Sequence, residues 1–290
     1  MTRTTLPLLA LAVLLAPLAN AETKTYPAGD FTGLDVSGVI DVIFETGETA
    51  SITVDQDDGD FTDIYIGQDG AKLEIGRKSL REKAGWARNI SVRHKDGEKV
   101  VKVNGKQVPT YTIRVTAPLL TEASVSNSSS IKASGINSQT FSGAVSSSSD
   151  LVLAGQAAQV SLRASSSGDL DASEFEAESL KLDVSSSADA HALVRNGTLD
   201  VEASSSADVV VTAFDASKVS VQASSSADVE AHDLPCATGM VQASSGADIS
   251  AFLEEGVEAR ASSGGDIEIS GNPPSRDISE SSGGNIEING

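Results

Sequence analysis

The stretch VQASSSADVEA (221–231) recurs as VEASSSADVVV at 201–211, LDVSSSADAHA at 182–192 and VQASSGADISA at 241–251. Anchored on the acid, the copies fall at Asp150, Asp169, Asp189, Asp208, Asp228, Asp248 and Asp266. Ser130 before them and Asn285 after them fill the same slot. The steps are 20, 19, 20, 19, 20, 20, 18 and 19 residues. Catalysis has no use for so many copies of one serine–acid motif, so the repeat expresses geometry. A fixed period of this size marks a solenoid, in which each coil buries a face on the next.

Two-residue alternation around Asp228 puts Val221, Ala223, Ser225, Ala227, Val229 and Ala231 on one face, against Gln222, Ser224, Ser226, Asp228 and Glu230 on the other. The repeats at Asp208 and Asp189 divide the same way, which predicts strands with one buried side. Parallel stacking can present the same face once per repeat, with equivalent residues roughly 4.8 Å apart. The handedness of parallel crossovers then predicts an all-β, right-handed parallel β-helix or solenoid with 19–20 residues per coil. Nine such coils would form a rod about 40 Å long. Gly155-Gln156, Asn196-Gly197, Asp233-Leu234-Pro235 and Gly271-Asn272-Pro273-Pro274 read as return turns. Ser147, Ser166, Ser186, Ser205, Ser225, Ser245, Ser263 and Ser282, three before the acid slot, are expected to point inward as a column of mutually bonded hydroxyls.

The outward stripe repeats serine and aspartate. Carboxylates about 4.8 Å apart repel by roughly 0.9 kcal/mol in water and about 3.5 kcal/mol at an effective dielectric near 20. One expectation is that each Asp bonds local backbone or faces solvent. The other is a cation ladder at Asp189, Asp208, Asp228 and Asp248, with Ca²⁺ the ion whose oxygen preferences fit. No other cofactor is implied.

Residues 1–21 read as a signal peptide: Arg3, an apolar run from Leu6 to Leu18, then Ala19-Asn20-Ala21. Without them the net charge is 20 − 41 = −21, which repels nucleic acid and anionic lipid. No later stretch is long and apolar enough to span a bilayer. The single Cys236 forms no internal disulfide, so an exported chain rests on its core alone. The expected organisation is an N-terminal β part over 22–120 and a Ser/Asp-repeat solenoid over 121–290.

FTGLDVSGVIDVIFETGE (31–48) supplies Phe31, Ser37-Gly38, Asp41 and Gly47, TIRVTAPLL (112–120) an apolar strand ending in Pro-Leu, and SSSADV, SSGADI and SSGGDI the later repeats. In these places, over about 30–290, the chain resembles the putative auto-transporter adhesin, head GIN domain family, with Ser or Ala where that family often has Gly. The resemblance implies a helix-like all-β fold and a location outside the cytoplasm. It suggests adhesion and brings no catalytic residues.

Residues 77–106 depart from that pattern, holding 10 Lys and Arg against 3 acids, so the remainder of the chain is −27. The segment contains Trp86, and turns at Lys95-Asp96-Gly97 and Asn104-Gly105 predict an antiparallel meander of ISVRH, KVVKV and TYTIRV. It reads as a solvated hairpin-like insertion. The sharper alternative is a basic patch of Lys95, Lys99, Lys102 and Lys106, docking on an anionic envelope polymer or on the acidic face of a second copy. His94, His191 and His232 lack metal-site spacing, and no phosphate loop or nucleophile elbow occurs. The expected function is a non-catalytic, exported cell-envelope binding or adhesion module, in the periplasm, on the outer surface or secreted. A self-associating structural envelope protein is the alternative. A carboxylate-using, polysaccharide-active β-helix enzyme is a third reading, disfavoured because periodic acids are alike and acid/base work needs them unequal.

Overall fold

The computed structural model describes residues 22–56, 59–81, 90–95, 98–214, 216–231 and 238–290. The signal segment, Trp86, Asp96-Gly97, His232, the turn at 233–235 and Cys236 lie outside the described residues, as do the side chains of His94 and Lys95.

The first half of the chain contributes Glu22–Tyr26 (β1), Gly33–Ser37 (β2), Asp41–Thr46 (β3), Ser51–Gln56 (β4), Ile64–Asp69 (β5) and Lys72–Arg77 (β6). After a short helix, Lys78–Arg81 (α1), come Ile90–Lys95 (β7), Glu98–Val103 (β8), Lys106–Val108 (β9), Thr112–Ala117 (β10), Glu122–Ser126 (β11) and Ser130–Ser146 (β12). From β11 onward every pairing is parallel, and the chain winds a β-solenoid of about eight turns. The acid slots stack in register from Ser130 through Asp150, Asp169, Asp189, Asp208, Asp228, Asp248 and Asp266 to Asn285.

The N-terminal turn breaks chain order. Strands β2 and β3 stack directly under β11 and β12, with Asp41 beneath Ser130. Below them lie β6 against β2 and β10 against β3, although both come later in the sequence. Antiparallel strands then finish this end: β5 on β6, β4 on β10 and β1 on β4. One continuous apolar core runs from Phe31 to Ile269 through all of it. The expected meander is therefore only partly formed. Its third strand is β9, whereas TYTIRV joins the solenoid as β10, because Tyr111, Ile113, Val115 and Ala117 bury in that core.

The three serines form the corner of each coil, and here the inward-serine expectation fails. Ser147, Ser166, Ser186, Ser205, Ser225, Ser245, Ser263 and Ser282 are all exposed. Each has positive φ, between 51° and 60°, and so does the residue after it. Two successive left-handed residues are the signature of a type I′ turn. Where it closes tightly, the residue before the acid donates its N–H three positions back, as Gly168 does to the Ser165 carbonyl (3.1 Å) and Gly265 to that of Ser262 (3.0 Å). Three consecutive residues thus face outward, and the residue before the acid re-enters the core: Ala188, Ala207, Ala227 and Ala247 are fully buried. Alternation survives the corner in phase, which is why it assigns every other position correctly. Ser129 and Ser149, one place before the acid slot, do bury their hydroxyls. There Ser149 Oγ accepts the Ser129 N–H and Ser129 Oγ that of Ile40, each at 3.3 Å.

The corner does not interrupt the backbone ladder. Ser206 N–H donates to the Ser225 carbonyl of the next coil (3.1 Å) and Ser226 N–H to that of Ser245 (3.2 Å). Asp208 and Asp228 donate in the opposite direction, to Ala188 (3.1 Å) and Ala207 (2.9 Å). The lowest corner, Ser37-Gly38-Val39-Ile40-Asp41, has φ of 95° at Gly38 and 60° at Val39. Its Val39 N–H donates upward to Asn127 (3.1 Å). No coil with a like corner lies beneath to supply the Gly38 carbonyl, and Arg77 does so instead. Its Nε donates to the Gly38 carbonyl (2.6 Å) and Nη2 to those of Val39 (3.3 Å) and Pro109 (2.6 Å), while Nη1 donates to Asp63 Oδ2 (3.1 Å). The guanidinium stands 5.0 Å from the Tyr111 ring centre, and Arg77 is 1% exposed. Arg77 therefore terminates the corner column rather than belonging to the basic insertion.

Two outcomes follow for chemical denaturation. Arg77→Met strands three carbonyls and removes the counter-charge of the Asp63 carboxylate, which keeps its bonds from Ser79, and should cost about 3–5 kcal/mol, the scale for removing one partner of a buried pair. At the Ser205–Ser206 corner, Ser205→Asn with Ser206→Gly suits left-handed backbone and should raise stability, whereas Ser206→Val should lower it by about 1–2 kcal/mol.

Candidate functional site

The acid column starts the strand after each corner, so its side chains stand outward along one edge of the solenoid. Asp150, Asp169, Asp189, Asp208, Asp228, Asp248 and Asp266 are all exposed. Their spacing has electrostatic consequences. Partial burial raises Asp169, and the neighbouring Asp150 raises it further by charge and by a carboxyl–carboxylate hydrogen bond. Asp189 is raised by partial burial and by Asp169 and Asp208, and Asp228 by partial burial and by Asp248 and Asp208. Asp171 shifts the other way, held down mainly by the Ser173 hydroxyl (2.6 Å) and peptide N–H (3.1 Å). Among the described residues no three His, Cys, Asp or Glu side chains converge on a point that could hold a metal ion.

The column begins one turn earlier than the repeat suggests, at Asp41. Ser37-Gly38-Val39-Ile40-Asp41 has the spacing of SSSAD, a signal that was present in the sequence but hidden by the step of 89 from Asp41 to Ser130. This lowest rung is neutralised. Lys99 Nζ donates to both Asp41 carboxylate oxygens at 2.9 Å, and Ser130 Oγ donates to Oδ1 at 2.7 Å. Strand β8 brings Lys99 there, in a separate three-stranded sheet β7–β8–β9 whose Val101 and Val103 are buried.

The structure places Lys99 and Lys102 on opposite faces of β8, and the side chain of Lys95 lies outside the described residues. Lys99 shares its face of β8 with Val101 and Val103, and Lys106 lies opposite Val103 in the register. Lys102 is exposed on the other face, opposite Ser91, and Lys95 sits opposite Glu98. His191 is exposed beside Asp171 of the preceding coil, and His94 lies opposite Lys99.

A second surface follows the strands that lead into the corners. Arg163, Asp183, Glu202, Gln222, Gln242 and Arg260 stack in register along a shallow groove of about 760 Å³, floored by alanines and bordered by the first serine of each triplet. Arg163 Nη2 bonds Asp183 Oδ2 (2.9 Å) between adjacent coils. The column carries an arginine at each end, with two carboxylates and two amides between them, a hydrogen-bonding strip lined by no aromatic side chain among the described residues.

The pH dependence of the ladder has a definite sign. Because Asp169, Asp189 and Asp228 are raised in the folded state, they favour folding fully below the unfolded value near 3.9, and lose that contribution as pH rises through their folded values. Asp169→Asn/Asp189→Asn/Asp228→Asn should therefore melt higher than the parent at neutral pH and low salt. The gap should shrink on acidification or on adding salt. Thermal melts of both proteins across acid and neutral pH measure it.

No curated protein matches the chain. Among solved structures, a putative lipid binding protein from Parabacteroides distasonis is 18% identical with a TM-score of 0.56, the match covering 93% of this chain and 97% of that one. A putative adhesin from the same organism is 15% identical with a TM-score of 0.58, over 93% and 98%. Such identities speak to the fold alone. The family model described as "Putative auto-transporter adhesin, head GIN domain" matches residues 30–214 and 174–273. Together these ranges span most of the chain, which belongs to the putative auto-transporter adhesin, head GIN domain family.

Proposed function

We propose that this protein is an exported, non-catalytic binding module of the cell envelope that holds an external partner along its repetitive polar flank. The observation that carries the reading is the sameness of that flank: one serine–aspartate corner, presented in register over about eight turns. Acid/base catalysis sets two groups apart in pKa at one point. This flank repeats one group with one environment, which suits a partner that is itself extended. The adhesin description of the family supports the same class of function. Among the described residues no helix is long and apolar enough to cross a membrane.

The groove beside Gln222 and Gln242 and the aspartate ladder are the two surfaces such a partner would meet. Calcium at Asp189, Asp208, Asp228 and Asp248 fits this reading as a bridging ion. In that case residues 22–290 melt higher in millimolar Ca²⁺ than in chelator, and an unchanged melt removes the ion from it.

The function itself is tested with residues 22–290 immobilised on beads and exposed to purified envelope polysaccharides and to envelope protein extracts. Saturable retention is expected with the polymer recovered intact. Release of new reducing ends would make the protein an enzyme, and absence of retention from every fraction would overturn the binding reading.

A further inference from the structure

The basic insert has two faces with different fates. Its inward face is committed: Val101 and Val103 are buried, and Lys99 holds Asp41, the first rung of the aspartate ladder. Its outward face carries Arg93 and Lys102. Arg93 lies opposite Val100 and Lys102 opposite Ser91, so both point away from the Val101 side, and both are exposed. Among the described residues neither makes an ion pair. Above the insert the ladder continues uncovered, and Asp208, Asp228 and Asp248 are exposed in one register.

These two surfaces cannot meet within one molecule. Asp208 stands five rungs above Asp41, through Ser130, Asp150, Asp169 and Asp189, or roughly 24 Å at the inter-strand spacing. A lysine or arginine side chain spans only a fraction of that. The insert is also pinned at the first rung by Lys99. Between two molecules the obstacle disappears, and the chemistry has a precedent in this structure. At Asp41 an ammonium from a separate sheet already sits across a ladder carboxylate, assisted by the hydroxyl of Ser130 on the neighbouring coil.

We infer that the protein binds a second copy of itself, the outward face of one insert, with Arg93 and Lys102, docking on the rungs Asp208, Asp228 and Asp248 of the other copy. The contact continues the intramolecular one at Asp41 and joins the +7 segment of one chain to the −27 remainder of another. Because donor and acceptor surfaces differ, it is a heterologous contact, and one copy can bind on each side. Close-range pairing of opposite charges persists at a salt concentration that screens the repulsion between net-negative molecules, and further salt dissolves it.

Sedimentation velocity of residues 22–290 in chelator tests this. The parent protein should sediment above monomer mass at moderate salt and as a monomer at high salt. Arg93→Gln/Lys102→Gln should be monomeric throughout. The decisive variant is Asp208→Asn/Asp228→Asn/Asp248→Asn. It lowers net negative charge, so non-specific electrostatics predicts more association, whereas loss of the docking rungs predicts none. Mixing the two monomeric variants should restore the association, since each retains the surface that the other lacks. Circular dichroism confirms that these exposed-site variants are folded. A parent monomeric at every concentration and salt, association surviving in either variant, or a mixture that stays monomeric overturns the inference.

Discussion

The rest of the structure depends on the peptide geometry of the corner. A narrow parallel coil must reverse direction without breaking the hydrogen-bond ladder that joins it to its neighbours, since an unpaired backbone group inside the stack is costly. Two successive left-handed residues meet both demands, sending one N–H to the coil above and the next available one to the coil below. Serine is not the best residue for such backbone. It is small and polar, it suits an exposed site, and the turn is held from both sides by coils of the same shape. Toward the C-terminal end glycine takes over the second place, at Gly246, Gly264 and Gly283. The stack thus shares the strain of each corner among neighbours and needs a special solution only where a neighbour is missing.

That solution is the N-terminal end. Strands β6 and β10 slide under β2 and β3 out of chain order, and antiparallel β1, β4 and β5 finish the sheet. Antiparallel closure replaces a repeating edge with one that does not template another coil, which is how sheet proteins restrain edge-to-edge growth. Arg77 completes the cap at the one point strands cannot reach, the carbonyls of the first corner. An arginine fits because its fork can serve several acceptors at once while stacking on an aromatic ring.

Electrostatics divides the same way as architecture. Periodicity that gives every coil the same shape also gives it the same charge, so the carboxylates accumulate along one flank and raise one another. Among the described residues only the first rung is neutralised, by the insert that interrupts the repeat. The insert therefore acts on the fold as a local counter-charge, and its outward cations and the uncovered rungs are two halves of a pairing.

Much was legible from residue order. The acid slots give the coil length, the stacking register and the inward or outward sense of nearly every strand position, because burial on a parallel strand alternates strictly and the corner happens to preserve phase. The second serine of each triplet escaped this logic, since alternation carries no information about φ and the corner turns that residue outward. The basic run from Arg77 to Lys106 looked like one surface feature, yet Arg77 is buried and Lys99 is engaged while Lys102 is exposed, because their fates depend on which coil ends beside them. The repeat by itself determined a parallel solenoid with a serine–aspartate flank, as short-range periodicity maps directly onto stacked strands. Only the tertiary structure decided how that stack ends, because an end is defined by the hydrogen bonds no neighbouring coil can supply, and those were met by residues far away in sequence.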